Sequence, residues 1–231
     1  MKRQFNPAAP EWMDRPQPVS PELERDLANL RSLNRWFGSH RLIRHFLPRW
    51  LKRNTTARIL DLATGSGDIP GLIVDWARSQ GATVTIDAID QQPSTIAIAQ
   101  RLNLDRPEIN FVSASLFDWN PKEPYDVVFF SLALHHFSDD DALRILQRCR
   151  ELSRGAVLVA DLRRAHWLSA AIYLLTAFVY SEPMTKNDGR VSAARAFSFG
   201  ELQKLAERAG WKNFGHQRFA IGRQAIWLDP R

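Results

Sequence analysis

The chain has 231 residues, of which 45% are apolar and 24% charged, enough to bury the core of one large α/β domain with an appendage or of two small domains. Cys149 is the only cysteine, which excludes an internal disulfide, and residues 1–18 contain no apolar core of signal-peptide length, so we expect a cytoplasmic protein. The net charge of +6 is concentrated early, because residues 1–60 hold 12 Lys and Arg against 5 Asp and Glu, whereas the rest hold 19 against 20. Such a basic segment is typical of proteins that bind nucleic acid, an anionic membrane surface or an acidic substrate. It is equally typical of helices with one charged, solvated face and one packed apolar face.

The first part of the chain predicts an extended arm followed by two helices. Prolines are frequent in residues 1–20, which favours an extended arm. A helix is expected from Pro21 to about Gly38, with Ser20 as its N-cap. A second, amphipathic helix follows, and its apolar side consists of Leu42, Ile43, Phe46, Leu47 and Trp50.

From residue 57 the pattern changes to strands that alternate with helices. Apolar runs of strand length occupy residues 57–63, 83–90, 109–116, 125–134 and 155–162, and helical patterns occupy residues 68–80, 93–104 and 139–153. Strands that are apolar on both faces predict a mostly parallel sheet covered by crossover helices. The expected fold is therefore a doubly wound, Rossmann-like α/β sheet.

The C-terminal part contains one long apolar stretch. Residues 167–180 carry no charge, but this stretch is shorter than the roughly 20 residues needed to span a bilayer, so we expect a buried or substrate-covering helix. Ser198 and Glu201 form a capping-box pattern at the start of a later helix, and two β-like segments follow it. We divide the chain into an N-terminal arm and helical cap (1–54) and a main domain (55–231), which contains a substrate-covering insert (163–195).

The stretch ILDLATGSGD, residues 59–68, ends the first of these strands in a glycine turn. In a doubly wound sheet this turn faces the ligand crevice, and Gly65 and Gly67 permit unusual dihedrals and the close approach of a ligand. A nicotinamide dinucleotide is disfavoured, because Pro70 fills the third glycine position of its fingerprint and Asp68 would face the pyrophosphate with like charge.

S-adenosylmethionine fits these residues better, because it carries a sulfonium and an ammonium but no phosphate. It tolerates nearby acids such as Asp61 and Asp68. Asp90, at the end of the second strand, is well placed to accept hydrogen bonds from both ribose hydroxyls.

The segments LDLATGSGD, DAID and YDVVFFSLALHHF resemble class I S-adenosylmethionine-dependent methyltransferases, and the ATGSGD variant is most similar to their ubiquinone/menaquinone branch. This resemblance covers about residues 57–162 and implies the seven-stranded methyltransferase fold. Residues 187–211 are similar to the tail of small-molecule methyltransferases from bacterial polyketide and phenolic-lipid pathways.

The resemblance also implies roles for individual residues. The residues that would hold the cofactor are Asp61, Ala63, Gly65, Gly67 and Asp68 at its methionine end, Asp90 at the ribose, Gln91 at the adenine, and the backbone of Ser131 and Leu132 at the ammonium. Two positions depart from the family pattern. Ala63 replaces its first glycine, and the acid that usually holds the adenine amine is missing from residues 113–118, where Ser115, beside Leu116, or Asp118 can serve.

His135 and His136 follow the fourth strand at the rim of the crevice, where a base of near-neutral pKa can remove a proton from a hydroxyl acceptor. A packing or orienting role for one of them is the alternative. We expect no metal, because adjacent histidines do not easily point into one compact site and no third ligand is evident. Asp161, which ends the fifth strand, lies near the acceptor or caps the following turn.

The acceptor is expected to be a hydrophobic small molecule. The insert would form its walls together with the aromatic residues Trp36, Phe37, Phe46 and Trp50, and with His166 and Tyr180, which flank the apolar stretch. We expect methyl transfer from S-adenosylmethionine to a phenol, quinol or polyketide-like acceptor, at a hydroxyl oxygen or, alternatively, at carbon. The basic helices would contact anionic lipid.

Two other functions are compatible with the sequence. A nucleic-acid methyltransferase would explain the basic segment, but the Asn/Asp-Pro-Pro-aromatic signature is absent after the fourth strand. A cofactor-binding partner protein without activity is the non-enzymatic alternative.

Overall fold

Strands and helices alternate from residue 56 onward in a computed structural model, which describes residues 2–165 and 182–230. Its strands are β1 (Thr56–Leu62), β2 (Thr83–Asp90), β3 (Ile109–Ser113), β4 (Tyr125–Ser131), β5 (Ser153–Leu162), β6 (Gly215–Phe219) and β7 (Arg223–Leu228). Its helices are α1 (Pro21–Trp36), α2 (Ser39–Trp50), α3 (Asp68–Gln80), α4 (Pro93–Leu102), α5 (Asp139–Leu152), α6 (Pro183–Arg195) and α7 (Phe199–Arg208). Two short 3₁₀ helices span Trp12–Asp14 and Leu134–His136.

The strands form one sheet in the order β3-β2-β1-β4-β5-β7-β6. Strands β1 to β5 are parallel, and β7 pairs antiparallel with both β5 and β6. This confirms the predicted doubly wound α/β class. Strand order reverses between β1 and β4, so the connections leaving their carboxyl ends diverge and open a crevice there.

Helices cover both faces of the sheet, which explains why its strands are apolar on both sides. Leu146 of α5 and Leu202 of α7 belong to one core cluster with β4, whereas Ile73 of α3 belongs to a second cluster with β1. The apolar side of α2, including Phe46, is buried in this second cluster. Helix α2 therefore shares a core with the sheet, and the division at residue 54 remains a prediction.

The predicted helix caps are present. The Ser20 Oγ accepts a hydrogen bond from the Leu23 N–H at 3.2 Å at the start of α1. At α7 the capping box is reciprocal, because the Ser198 Oγ accepts from the Glu201 N–H and the Glu201 carboxylate accepts from the Ser198 N–H. These local bonds satisfy amide groups that the helices leave unpaired, so short sequence patterns determine where the helices begin.

The N-terminal arm packs against the folded chain. The guanidinium of Arg3 donates to the Phe137 carbonyl at 2.6 Å and to the Arg195 carbonyl at 2.6 Å. Further along the arm, the Asp188 carboxylate of α6 accepts the backbone N–H groups of Trp12 and Met13, at 2.8 and 3.0 Å. These bonds fix the arm across the crevice end of the sheet.

Part of the predicted insert (163–195) can be compared with the structure. Its last 13 residues form α6, whereas His166, Tyr180 and the apolar stretch 167–180 lie outside the described residues. Within residues 2–165 and 182–230, no helix has the length and apolar character that crossing a membrane requires.

Candidate active site

A cavity of about 460 Å³ lies at the crevice between β1 and β4. The connections after β1, β2, β3 and β4 form one side of it, and the N-terminal arm, α1, α6 and the turn between β6 and β7 form the other. This volume falls within the range of sites for small molecules and cofactors.

Most of the residues predicted from the sequence line this cavity. They are Phe37, Asp61, Ala63, Gly65, Asp68, Asp90, Gln91, Ser115, Leu116, Ser131, Leu132, His135 and His136. Gly67, Asp118 and Asp161 are not among the lining residues, and neither is Trp36. His166 and Tyr180 cannot be placed, since they lie outside the described residues.

The two glycines of the turn after β1 have different surroundings. Both adopt a left-handed backbone, with φ of 54° at Gly65 and 73° at Gly67. A Cβ atom on Gly65 would meet no atom within 4 Å, whereas one on Gly67 would lie 2.7 Å from the Phe111 ring and 2.8 Å from the Asn103 side-chain nitrogen. Gly65 therefore leaves room beside the cavity for a ligand, but Gly67 is required by the packing of the protein itself.

Three non-glycine residues at the cavity, Ala63, Leu132 and Ile221, are also left-handed. Ala63, after β1, has φ of 55°, and Leu132, after β4, has φ of 58°. Such conformations cost roughly 1 kcal/mol or more for residues with a Cβ and concentrate at functional sites. The left-handed backbone at residue 63 is a physical reason for a glycine at this position, and Ala63 accommodates it with the smallest side chain that has a Cβ.

Asp90 is held by the backbone at the end of β2. Its two carboxylate oxygens accept the N–H groups of Gly65 and Gln92, each at 3.0 Å. Burial raises the pKa of Asp90, and these two hydrogen bonds oppose that rise. The remaining lone pairs of a carboxylate fixed in this way can accept two vicinal hydroxyl groups.

Asp61 is a buried acid whose Oδ2 has no hydrogen-bond partner among the described residues. Burial, together with the charges of Asp68 and Asp90, raises the pKa of this carboxyl to about 7. An unpaired acceptor beside two other acids favours a ligand that brings positive charge or donated hydrogen bonds. The ammonium of an amino acid moiety is such a ligand, so these residues fit S-adenosylmethionine.

Helices α1 and α2 hold the glycine turn from the outside. The Asp68 Oδ2 accepts from the Asn34 side-chain amide at 3.1 Å and lies 2.9 Å from the His40 Nε2. The Arg31 guanidinium donates to the Ser66 carbonyl at 2.9 Å. Asp68 thus links the turn to the N-terminal helices.

The histidine pair is oriented by carboxylates. The His135 Nδ1 lies 2.6 Å from the Asp161 Oδ1, and the Asp161 Oδ2 accepts the His135 backbone N–H at 3.0 Å. The His136 Nδ1 lies 2.6 Å from the Asp14 carboxylate. Since a carboxylate accepts hydrogen bonds, these contacts favour a proton on each Nδ1 and turn each Nε2 away from its acid.

Glu11, from the N-terminal arm, meets the other edge of both rings. One of its oxygens lies 3.9 Å from the His135 Nε2 and the other 3.8 Å from the His136 Nε2. Burial raises the pKa of Glu11, and the two histidines oppose that rise. No third ligand is evident near these histidines in the sequence, but the docked arm provides one.

Three of the expected aromatic walls lie elsewhere. Trp36 points to solvent at 70% exposure, and Phe46 is buried in the core, where it stacks on Trp50 at a centroid distance of 5.3 Å. The amphipathic pattern of α2 turns its aromatic side toward the sheet, away from the crevice. The apolar side of the cavity is instead formed by Leu27, Leu30, Leu33, Phe37 and Met13.

Sequence reasoning missed the contribution of the arm and of α1. Glu11 and Asp14 are the two acids within the first 20 residues, beside the apolar Trp12 and Met13. Apolar residues next to isolated acids within a proline-rich arm are a signal that the arm docks. Nothing local indicates, however, that Asn34 contacts Asp68.

Comparisons with known proteins find similarity to methyltransferases. Residues 59–155 match the family described as "Methyltransferase domain". The chain is 24% identical over 208 residues to a protein of Synechococcus elongatus named 2-phytyl-1,4-naphtoquinone methyltransferase, a match that covers 82% of this chain and 86% of that protein.

Solved structures share the fold. Human N-acetylserotonin methyltransferase in complex with SAM gives a TM-score of 0.65 at 15% identity over 90% of this chain, which spans only 55% of the human chain. The plantazolicin methyltransferase BpumL, in complex with a pentazolic desmethylPZN analog and SAH, gives a TM-score of 0.67 at 13% identity and covers 92% of both chains.

Proposed function

Because this chain is a class I S-adenosylmethionine-dependent methyltransferase, we propose that it methylates a hydroxyl oxygen of a hydrophobic small molecule. The observation that carries this proposal is one continuous cavity, which joins the acids after β1 and β2 to an apolar wall and to an oriented histidine pair.

The cofactor half of the cavity supplies binding and orientation. Asp90 would accept the ribose hydroxyls, and Asp61 would face the ammonium. When bound, S-adenosylmethionine supplies a methyl group whose C–S bond breaks, with its electron pair going to sulfur, as the acceptor oxygen forms the new bond to carbon. The chain's part is to align the acceptor and exclude water, because in-line orientation accounts for much of such a barrier.

The acceptor half favours an apolar molecule. Leu27, Leu30, Leu33 and Phe37 of α1 and its C-cap line it. The name of the cyanobacterial relative, a methyltransferase of a phytylated naphthoquinone, supports an aromatic acceptor with a lipid-like tail. We assign the acceptor to phenols, quinols and polyketide-like aromatics on this basis.

The histidine pair would activate the acceptor hydroxyl. Asp161 is buried and contacts both the ring and the backbone of His135, so the ring has little freedom to turn. An imidazole held in this way presents its Nε2 edge in a constant direction, which suits removal of a hydroxyl proton. His135 is therefore proposed to act on the acceptor, and Asp161 to position His135. Burial lowers the pKa of His136, but the charges of Glu11 and Asp14 raise it to about 10, so His136 is protonated near neutral pH and is proposed to orient the acceptor.

The basic N-terminal helices are proposed to contact an anionic membrane surface. Arg41, Arg44 and Arg49 lie on the exposed side of α2, opposite its buried apolar face. Trp36 is exposed at the end of α1. An acceptor with a lipid-like tail would be concentrated at such a surface.

The test is transfer of radioactive methyl from labelled cofactor into a cell extract. We expect the label in organic-extractable material, with none in RNA. In the Asp90→Asn variant both cofactor binding and transfer should fall, whereas His135→Gln should keep cofactor binding and lose transfer by about 100-fold or more. Label confined to RNA, or cofactor binding without transfer to any extract, would contradict this function.

A further inference from the structure

Three potential metal ligands converge at the acceptor end of the cavity. Glu11, His135 and His136 each offer one ligand atom, and these atoms lie within 4.8 Å of one another. All three residues line the cavity, although Glu11 and His135 are almost completely buried. The cluster therefore faces the site but is shielded from bulk water.

The outer partners of these histidines match those of metal-binding imidazoles. Each Nδ1 is engaged by a carboxylate at 2.6 Å, that of Asp161 for His135 and that of Asp14 for His136. A metal-binding histidine typically donates its second ring N–H to a carboxylate or carbonyl, which fixes the ring and makes the ligand nitrogen more basic. Both Nε2 atoms are thereby directed toward Glu11.

The spacing favours a cation between these atoms over direct hydrogen bonds. The Glu11 oxygens lie 3.9 and 3.8 Å from the two Nε2 atoms, beyond hydrogen-bonding distance. Ligand atoms around a tetrahedral Zn²⁺ are about 3.4 Å apart, since each lies about 2.1 Å from the ion. The two Glu11–histidine distances involve different carboxylate oxygens and exceed this value by about 0.5 and 0.4 Å, so the three ligand atoms, which lie within 4.8 Å of one another, would have to close in on the ion.

The third ligand is held in place by the arm. The Asp188 carboxylate accepts the N–H groups of Trp12 and Met13, the two residues that follow Glu11. The Ser192 hydroxyl donates to the Glu11 Oε1 at 2.9 Å, which leaves Oε2 available. The carboxylate is thus positioned before any ion arrives.

We infer that Glu11, His135 and His136 form a binding site for one divalent transition-metal ion, with Zn²⁺ the best match to two imidazoles and one carboxylate. This ligand set leaves a fourth position open toward the cavity, as catalytic zinc sites do. Mg²⁺ is disfavoured, since it prefers oxygen ligands in octahedral geometry.

The role of the ion rests on the proposed function. An acceptor hydroxyl that takes the fourth position would have its pKa lowered by the cation, and its proton would leave through a water molecule in the cavity. The histidines would then activate the acceptor through the ion.

The test is a calorimetric titration of ZnCl₂ into full-length protein from which metal has been removed with a chelator. We expect one Zn²⁺ per chain and no binding of Mg²⁺. Glu11→Gln and His136→Gln should lose most of the affinity, and Asp14→Asn should weaken it by about 10- to 100-fold. His216→Gln, on β6, is the matched control and should bind as the wild type does.

Cofactor binding and a thermal melt, measured on each variant, separate loss of the site from loss of the fold. Absence of stoichiometric Zn²⁺ binding to the wild type, or unchanged affinity in a folded Glu11→Gln variant, would overturn the site. If metal-free wild type transferred methyl at its full rate, the activating role of the ion would fail while the proposed function stood. Zn²⁺ binding without transfer to any acceptor would instead reject the proposed function and retain the site.

Discussion

Individual residues around the cavity are held in states that cost stability. Ala63 and Leu132 adopt left-handed backbones, and Asp61 is a buried carboxyl with one oxygen unpaired among the described residues. Such features persist when the surrounding structure fixes them, and they cluster where a ligand is bound. The cofactor would relieve part of this cost by pairing with the unpaired acid.

Asp61 gives a prediction for pH dependence. The pKa of this carboxyl is raised from 3.8 to about 7, so the folded protein binds more protons than the unfolded chain between these values, and stability falls as pH rises through that window. Asp61→Asn removes the effect. The melting temperature of the cofactor-free variant should exceed that of the wild type by a margin that grows from pH 4 to pH 7 and is constant above.

The same variant should bind the cofactor about 10- to 100-fold more weakly at pH 8, the loss expected for a hydrogen bond to a charged group. Differential scanning fluorimetry across pH and calorimetry at pH 8 measure the two effects. A melting-temperature difference that stays constant with pH would show that Asp61 does not titrate as described.

At the scale of elements, the turn between β1 and α3 combines two requirements. Its first glycine borders the cavity, and its second is packed against Phe111 and Asn103. One part of this motif therefore lines the cavity, and the other part is required by core packing.

Alanine substitutions should separate these two requirements. Gly67→Ala should destabilise the fold by about 1–3 kcal/mol, because its Cβ would overlap a ring and an amide. Gly65→Ala should cost only about 1 kcal/mol of backbone strain, yet weaken cofactor binding by tenfold or more. Urea unfolding and calorimetry on both variants provide the measurement, and equal effects on stability would contradict this division.

At the scale of the whole molecule, charge and apolar surface are distributed unevenly. The excess of basic residues lies in residues 1–60, and the exposed side of α2 carries several of them. These helices also border the cavity through α1, so the basic surface adjoins the apolar wall of the cavity.

We therefore predict binding to anionic vesicles. The protein should float with liposomes that contain phosphatidylglycerol and much less with neutral ones, and binding should weaken as salt rises. Arg41→Glu combined with Arg44→Glu should abolish it. Lys204→Glu combined with Arg208→Glu, an equal change of charge on exposed positions of α7, should leave it largely intact. If both pairs behaved alike, net charge and not this surface would be responsible.

The sequence by itself determined the alternation of strands and helices, the parallel sheet, the helix caps and the glycine turn after β1. These features depend on short-range periodicity and on residues within a few positions of one another. Short stretches of sequence are therefore enough to predict them. The apolar pattern also predicted that α2 has one buried side, but it did not predict which part of the core this side packs against. For that reason Phe46 and Trp50 were expected at the crevice.

Tertiary structure alone decided what surrounds the histidines. Glu11 and Asp14 lie more than a hundred residues before His135 and His136 in sequence and reach them because the arm docks on α6. In the same way, β5 brings Asp161 behind His135, and α1 brings Asn34 to Asp68. Such contacts depend on how distant elements pack, which no local pattern encodes, so the acceptor end of the cavity became visible only in the folded molecule.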